Sequence, residues 1–319
     1  MRVLLDGHML GRAEGGNERY VKGLIDGFSS LKRVNLKVYR SSKRGILADL
    51  RRVFLDLPRE AAKFKADIVH STYIGPLWGK GKLVLIVHDF LFKRDPGYFS
   101  LKERLMFKLL LPVCLRRASA VMVPSNFVKK EGIKFYPWLK GKTFVTYEAA
   151  DKVFSKKLKA KRKPFILGFT SKNPKKNTKR LLEAYGLVNE EFPHLDLVVV
   201  GPGFEEQVSD IRLNRLYRTS KCLVYPSLYE GFGLPILEAF TAGTPVIASD
   251  IPVFREIAAG AALYVNPKDP KDIAGKIIKL VKSPAVARGL VRKGRKKVKA
   301  FSWRQTATET LKVYERVAG

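Results

Sequence analysis

The chain has 319 residues, and its 61 lysines and arginines outnumber its 29 acidic residues to give a net charge of +32. This length suits two domains of about 150 residues each. No run of about 18 apolar residues occurs, so no transmembrane helix is expected. The opening MRVLLDGH predicts a first strand rather than a signal peptide, because it reaches Asp6 at once and lacks a small-residue cleavage site. Cys114 and Cys222 both lie in apolar segments without a CxxC spacing, so we expect reduced cysteines in a cytoplasmic protein. Two glutamines and four methionines among many lysines and arginines favour a thermophilic source.

Short apolar segments alternate with helical stretches along the whole chain, which is the pattern of parallel sheets covered by helices. The predicted strands of the first half are 2–6, 36–40, 67–71, 83–89, 120–125 and 143–147. Those of the second half are 165–169, 195–201, 222–227, 245–249 and 262–265. The charged segment 151–164 between them predicts a hinge. Ser302 and Gln305 predict the cap of a last helix.

The segment from Tyr225 to Asp250 predicts a strand, a glycine turn, a helix and another strand. Gly231 and Gly233 allow the backbone to turn tightly and to approach a ligand without a Cβ in the way. The helix is expected to begin at Pro235 and to end at Gly243. Free amides and the positive dipole end at its start form a site for an anion such as a diphosphate.

Two carboxylates, Glu230 and Glu238, flank this turn, and Glu238 lies close enough to the anion site to accept hydrogen bonds from hydroxyls of the same ligand. Their spacing within EGFGLPILEA resembles the E-x7-E signature of glycosyltransferase family 4, the retaining enzymes of GT-B fold. Similar stretches cover nearly the whole chain: EGGNERYVKGLI (14–25), VHD (87–89), RRASAVMVPSNFVKKE (116–131) and GTPVIASDIPVFREIAAGAALYVNPKD (243–269).

The resemblance implies an α/β protein with two Rossmann-like domains that face each other across a cleft. Residues 1–154 would bind the acceptor, residues 155–301 would bind the nucleotide sugar, and a C-terminal helix, 302–319, would cross back to the first domain. The implied reaction is retaining transfer of a hexose, of mannose or glucose type, from a nucleoside diphosphate sugar to a glycan or lipid-linked acceptor. Neither a metal ion nor another cofactor is expected.

The same resemblance assigns roles to individual residues. It implies that His88 lies near the reacting carbon, that Glu230 holds hydroxyls of the donor sugar, and that Lys176 stabilises the departing diphosphate. Gly15 and Asp89 are the predicted acceptor-binding residues. The predicted donor-binding residues are Gly16, Lys172, Lys175, Gly231, Phe232, Gly233, Leu234 and Glu238, of which Glu238 would hold the ribose. His8 and His70, which also follow predicted strands, are lesser candidates.

The chain departs from the family pattern in two places. Gly168 is followed by Phe169 and Thr170 instead of an arginine, so a second cation on the phosphate is either missing or supplied by Lys172 or Lys175. Lysine lacks the bidentate fork of arginine. The segment 201–227 is short and lacks a strand that helps to wall the nucleobase pocket, which leaves uridine, guanosine and adenosine donors open.

The basic residues are scattered and match no nucleic-acid-binding motif, so no specific nucleic acid is expected as a partner. Basic clusters are usually solvated faces, but they also suit an anionic membrane surface, which fits a peripheral protein on the inner face of the membrane. The segment 98–117 has the basic, amphipathic pattern of an interfacial helix, or of a helix packed on the sheet. In either case Pro112 is expected to kink or end it.

Other functions are compatible with parts of the pattern. Glu230 and Glu238 could be a glycosidase-like pair, although glycosidases need no phosphate turn. A catalytically idle module that binds polyanions or membranes would keep both the fold and the charge. Polymer synthases and phosphorylases of GT-B type are generally longer, and no pyridoxal-phosphate lysine is evident for a phosphorylase.

Overall fold

The computed structural model describes residues 1–11, 15–41, 43, 45–156, 158, 161–206 and 208–319. These residues form two compact units, Met1–Ala149 with Ser302–Gly319, and Ala150–Phe301. Parts of three predicted segments lie outside the described residues: Glu14 of the glycine loop, residues 157, 159 and 160 of the hinge, and residue 207 of the short segment 201–227.

The first unit is built on a parallel sheet with the strand order β2-β1-β3-β4-β5-β6. Its strands are β1 (Arg2–Asp6), β2 (Asn35–Tyr39), β3 (Ile68–Thr72), β4 (Lys82–Ile86), β5 (Ala120–Val123) and β6 (Thr143–Val145). Its helices are α1 (Gly16–Leu31), α2 (Ile46–Arg51), α3 (Leu57–Phe64), α4 (Leu91–Arg94), α5 (Leu101–Arg117), α6 (Asn126–Phe135) and α13 (Trp303–Ala318). Strands β3, β4 and β5 are almost fully buried, which explains their continuous apolar sequence.

The second unit has a parallel sheet with the order β11-β10-β9-β7-β8. Its strands are β7 (Phe165–Phe169), β8 (Asp196–Val200), β9 (Leu223–Tyr225), β10 (Val246–Ser249) and β11 (Leu263–Val265). Its helices are α7 (Thr178–Glu191), α8 (Asp210–Thr219), α9 (Leu234–Ala242), α10 (Pro252–Ala258), α11 (Pro270–Lys282) and α12 (Pro284–Lys297). Each predicted strand of the sequence overlaps one of the observed strands, which confirms the two α/β series.

The last helix, α13, belongs to the first unit, as predicted for the chain end. It packs on α1 at two glycines that have no room for a side chain. A Cβ at Gly23 would lie 2.0 Å from the ring of Trp303, and one at Gly27 would lie 2.3 Å from the carbonyl oxygen of the same residue. Ser302 caps α13 by accepting a hydrogen bond from the amide of Gln305.

Helix α5 starts with the capping box of Ser100 and Glu103 but does not end at Pro112. It continues to Arg117, so of the two expected effects of Pro112, a kink or an end, the end is wrong. The last two turns hold because Leu111, Cys114 and Leu115 are buried in the core of the first unit. That packing outweighs the loss of one backbone hydrogen bond at the proline. None of the helices in the described ranges is long and apolar enough to cross a membrane.

Candidate active site

An ion-paired cluster of three side chains lies at the carboxyl ends of β7 and β9. Lys176 Nζ is 2.7 Å from Glu230 Oε1 and 2.5 Å from the Tyr225 hydroxyl. The Tyr225 hydroxyl in turn donates to Glu230 Oε1 over 2.8 Å. Tyr225 is the last residue of β9, and Glu230 lies in the loop that leads to α9. Ligands of parallel sheets bind at this edge of the strands.

The turn that carries Lys176 is fixed to the loop that carries Glu230. The amide of Lys175 donates to the side chain of Asn173, and the backbone oxygen of Lys175 accepts from the amide of Leu228 over 2.8 Å. Asn177, with a φ of 59°, donates from Nδ2 to the carbonyl of Pro226 over 3.0 Å. Backbone contacts between these two loops therefore support the cluster.

The Glu230 carboxyl group is ionised at neutral pH and can accept hydrogen bonds. Burial alone would raise the pKa of its carboxyl, but the ammonium groups of Lys176 and Lys175 and the hydrogen bonds from Lys176 and Tyr225 outweigh burial and lower the pKa to about 2. Burial and the neighbouring carboxylate raise the pKa of Tyr225 well above its usual value, so its hydroxyl stays a donor. An ionised Glu230 can accept hydrogen bonds from sugar hydroxyls and is poorly suited to act as a general acid.

The two other predicted cations differ in position. Lys175 Nζ lies 3.8 Å from Glu230 Oε2, so it belongs to the same cluster. Lys172 is exposed on the loop after β7. Of the two lysines considered as the second cation, Lys175 is the one that the fold brings to Glu230.

The glycine turn before α9 has the geometry that its sequence predicts. Gly233 has a φ of +118°, which favours glycine, and a Cβ there would lie 3.0 Å from the ring of Phe254. Helix α9 begins at Leu234, one residue before the predicted start, and ends at Gly243 with a φ of 78°. Phe232 and Leu234 are almost fully buried, so in this turn the backbone around Gly231 and Gly233 is the part suited to contact an anion.

Glu238 lies one turn into α9 and is buried. Its Oε2 accepts a hydrogen bond of 2.8 Å from the hydroxyl of Tyr217, which is itself fully buried on α8. The structure thus holds Glu238 in a fixed orientation. Its predicted role on a ribose stays a prediction.

The first unit has its own polar cluster, centred on His88 after β4. His88 Nδ1 is 2.8 Å from Glu148 Oε1, and both side chains are buried. The ring of Tyr20 meets the imidazole edge-on with centroids 5.0 Å apart, and that of Tyr73 lies 6.0 Å away. Tyr73 has a φ of 57°, an uncommon backbone conformation for an aromatic residue. This unusual position sets the Tyr73 ring beside His88.

The predicted acceptor-binding residues lie at the starts of helices. Gly15, with a φ of 65°, occupies the position before α1, and Gly16, a predicted donor-binding residue, is the first residue of that helix. Asp89 Oδ1 accepts from the amide of Leu91 over 3.1 Å, at the start of α4. One carboxylate oxygen of Asp89 thus accepts a hydrogen bond from its own chain segment.

The two lesser histidine candidates have buried partners. His70 Nδ1 is 2.5 Å from the hydroxyl of Tyr314, and burial lowers the pKa of His70 to about 3. His8 Nδ1 lies 2.9 Å from Asp6 Oδ1, and the other oxygen of Asp6 accepts from the guanidinium of Arg52. His70 therefore links β3 to the last helix as a neutral core residue.

Sequence reasoning missed the partners that orient the predicted residues: Glu148, Tyr20, Tyr73, Tyr217 and Tyr225. Glu148 follows the last strand of the first sheet, and polar residues after strand ends were the signal used for His88. Tyr225 is the last residue of an apolar strand, and the sequence does not distinguish a tyrosine at that position from a core residue. The contacts of these side chains depend on residues far apart in the chain.

Comparisons with known proteins agree with these features. A model of glycosyltransferase family 4 matches residues 13–152, and a model of glycosyl transferases group 1 matches residues 203–297. An O-antigen chain mannosyltransferase, RfbU of Salmonella typhimurium, is 33% identical over 206 residues, 59% of this chain and 57% of the relative, which is less than two thirds of that protein. O-antigen chain mannosyltransferase B of Escherichia coli is 26% identical over 296 residues, 81% of this chain and 77% of the relative.

A solved structure of sucrose-phosphate synthase from Thermosynechococcus elongatus has the same fold. It superposes with a TM-score of 0.76 at 20% identity and covers 99% of both chains. The predicted GT-B fold is thereby confirmed. Because the two models match residues of both units and the E-x7-E segment lies within the second match, the chain belongs to glycosyltransferase family 4.

Proposed function

We propose that the chain is a retaining hexosyltransferase that moves mannose from a nucleoside diphosphate sugar to a glycan or lipid-linked acceptor. The observation that carries the proposal is the Lys176–Glu230 pair beside the glycine turn, which combines a hydroxyl acceptor and a cation at one strand edge. A nucleoside diphosphate sugar presents the complementary groups, sugar hydroxyls next to a diphosphate. The mannosyltransferase relatives support mannose as the sugar.

In this proposal the two glutamates, Lys176 and the glycine turn of the second unit have separate roles. Glu230 accepts hydrogen bonds from hydroxyls of the donor sugar, and Glu238 accepts them from the ribose. The ammonium of Lys176 and the amides of the glycine turn stabilise the charge that grows on the diphosphate as the glycosidic bond breaks. Such preorganised donors are often the largest contribution to catalysis, since they need no rearrangement in the transition state.

In the first unit we assign His88 to the reacting end of the sugar, and Asp89 and Gly15 to the acceptor. The His88 ring is held in one orientation by Glu148 and by the rings of Tyr20 and Tyr73. A fixed imidazole is suited to contact a sugar hydroxyl with little loss of side-chain entropy on binding.

A lipid-linked acceptor is supported by the outer surface of α5. Leu101, Leu105, Leu109 and Val113 are 79%, 56%, 57% and 46% exposed. Their spacing of four residues forms one apolar stripe along the helix. This stripe lies opposite the buried residues of the same helix.

The stripe is accompanied by exposed basic side chains, namely Lys102, Arg104 and Lys108. A leucine stripe with basic neighbours is typical of helices that insert shallowly into anionic membranes. We therefore propose that α5 docks on the anionic inner face of the membrane, where a lipid-linked acceptor is carried.

A donor panel tests the proposed function. The protein is incubated with GDP-mannose, UDP-glucose or ADP-glucose and an alkyl mannoside acceptor, and products are followed by NMR. The proposal expects transfer from the mannose donor with retention at the anomeric carbon. Binding of polyanions or vesicles without turnover of any donor would favour the catalytically idle module instead.

A further inference from the structure

Only one of the two ring nitrogens of His88 is hydrogen-bonded within the part of the chain that the structure describes. Its Nδ1 lies 2.8 Å from Glu148 Oε1, whereas its Nε2 is buried and has no hydrogen-bond partner among the described residues. A buried polar atom without a partner is rare in folded proteins and is often found where a ligand completes the site. The unsatisfied Nε2 is thus the polar atom of the ring that a ligand hydroxyl would satisfy.

Glu148 determines what Nε2 can do. A carboxylate oxygen only accepts hydrogen bonds, so the proton of a neutral imidazole must be on Nδ1. The other nitrogen, Nε2, then carries a lone pair and accepts. Glu148 reaches this position because it follows β6, and it is only 3% exposed, so water competes little for its oxygen.

The aromatic neighbours hold the plane of the ring. Tyr20 meets it edge-on at 78°, and Tyr73 packs at 58°. With two rings against it and the Glu148 bond at Nδ1, the imidazole has one favoured rotamer. The Tyr20 hydroxyl faces His70, and the Tyr73 hydroxyl is hydrogen-bonded to the backbone of Asp89 and His88. Glu148 therefore supplies the contact to the His88 ring that selects the tautomer.

We propose that Glu148 is a positioning residue that fixes the Nδ1–H tautomer of His88, so that Nε2 accepts a hydrogen bond from a hydroxyl of the bound sugar. This inference rests on the proposed function, because it needs His88 at the donor sugar. Glu148 itself would touch neither donor nor acceptor.

The test uses Glu148→Gln, which keeps the size of the side chain but introduces an amide that can donate to Nδ1. In the wild type, ¹⁵N NMR of the imidazole should show a protonated Nδ1 and an unprotonated Nε2. In Glu148→Gln, the share of the opposite tautomer should rise. Glu148→Asp keeps a carboxylate and should retain the wild-type signature.

Kinetics with GDP-mannose provide the second readout. Glu148→Gln should lower kcat about 10- to 100-fold, as expected when a reacting group is misoriented. GDP affinity should be unchanged, because the residues proposed to hold the nucleotide belong to the second unit. Glu148→Asp should recover part of kcat, and Glu309→Gln, a change at a half-buried residue on α13, serves as the matched control.

The outcomes separate this inference from the proposed function. If His88→Ala abolishes turnover while Glu148→Gln keeps the wild-type tautomer and kcat, the role of Glu148 is overturned and the proposed function stands. If His88→Ala turns over GDP-mannose at the wild-type rate, the assignment of His88 fails and the inference fails with it.

Discussion

Lys176 Nζ lies 2.7 Å from Glu230 Oε1, although 54 positions separate the two residues in the chain. The pair unites the turn after β7 with the loop before α9, and it compensates the charge of a buried carboxylate. The same two groups are the proposed contacts of a nucleotide sugar. The pair therefore bears on both stability and function, and the first prediction concerns its contribution to stability.

Lys176→Met should lower the free energy of unfolding by about 1–3 kcal/mol, because the Glu230 carboxylate loses a charged hydrogen bond in a buried place. Glu230→Gln should also destabilise the fold. The double mutant should lose less unfolding free energy than the two single mutants lose together. Urea unfolding measures all four proteins of the cycle. Additivity within about 0.5 kcal/mol would show that the pair is not coupled.

The packing of α13 on α1 gives a second prediction. Gly23→Ala should destabilise the fold by about 1–3 kcal/mol, since its Cβ would overlap the Trp303 ring and force the two helices apart. Gly186→Ala is the matched control, because Gly186 lies inside α7 with nothing within 4 Å of a new Cβ. That change should stabilise the fold by up to about 1 kcal/mol. Equal Tm shifts of the two variants would refute the tight packing at Gly23.

The third prediction concerns acid stability. Burial, with a smaller contribution from nearby His88, lowers the pKa of His70 from 6.5 to about 3. Below pH 6.5 the unfolded state binds a proton at His70, whereas the folded state does not. The contribution of His70 to the free energy of unfolding is therefore complete above pH 6.5 and is lost as the pH falls towards 3. The loss amounts to at most about 1.4 kcal/mol per pH unit.

His70→Gln should therefore show a shallower fall of unfolding free energy between pH 6.5 and 4.5 than the wild type. His194→Gln, an exposed change, serves as control and should follow the wild-type slope. Parallel slopes for wild type and His70→Gln would mean that His70 titrates normally in the folded protein.

The fourth prediction concerns membrane docking through α5. Liposome binding should rise with the content of anionic lipid and fall with added salt. Changing Lys102, Arg104 and Lys108 to Glu should abolish it, and Leu105→Ser with Leu109→Ser should weaken it without altering the salt dependence. Changing three exposed basic residues of α12, Arg288, Arg292 and Lys293, to Glu alters net charge equally and is the matched control.

If the α12 control loses binding as strongly as the α5 variant, the attraction depends on net charge and not on this helix. Equal sedimentation with neutral and anionic vesicles would reject the proposed docking, and a soluble acceptor would then be the better assignment.

Much of the fold could be predicted from the sequence, because buried parallel strands leave continuous apolar runs. Strands β1 and β7 coincide with the predicted 2–6 and 165–169, and no other strand end differs from its prediction by more than three residues. Helix ends were readable where a glycine or cap fixes them, as at Gly243. Pro112 does not end α5, because the following turn is buried in the core, and that burial cannot be read from local sequence.

The candidate site was predictable in its residues but not in their contacts. Glu230 and Lys176 stand out by spacing and resemblance, yet their ion pair depends on how two distant loops meet. Glu148 has no motif of its own, since a lone glutamate after a strand is usually a surface residue. Its proposed role can be inferred only from its contact with His88 in the folded protein.

The rate of nucleoside diphosphate release from GDP-mannose, with an alkyl mannoside as acceptor, tests the central claim most directly. The wild type should turn over the donor. Glu230→Gln should lower kcat/KM at least about 100-fold, because it weakens a charged contact to the sugar in the transition state, worth about 3 kcal/mol. Glu183→Gln, an exposed change on α7, should leave the rate unaltered. Wild-type turnover by Glu230→Gln, or no turnover of any nucleotide sugar by the wild type, would contradict the account.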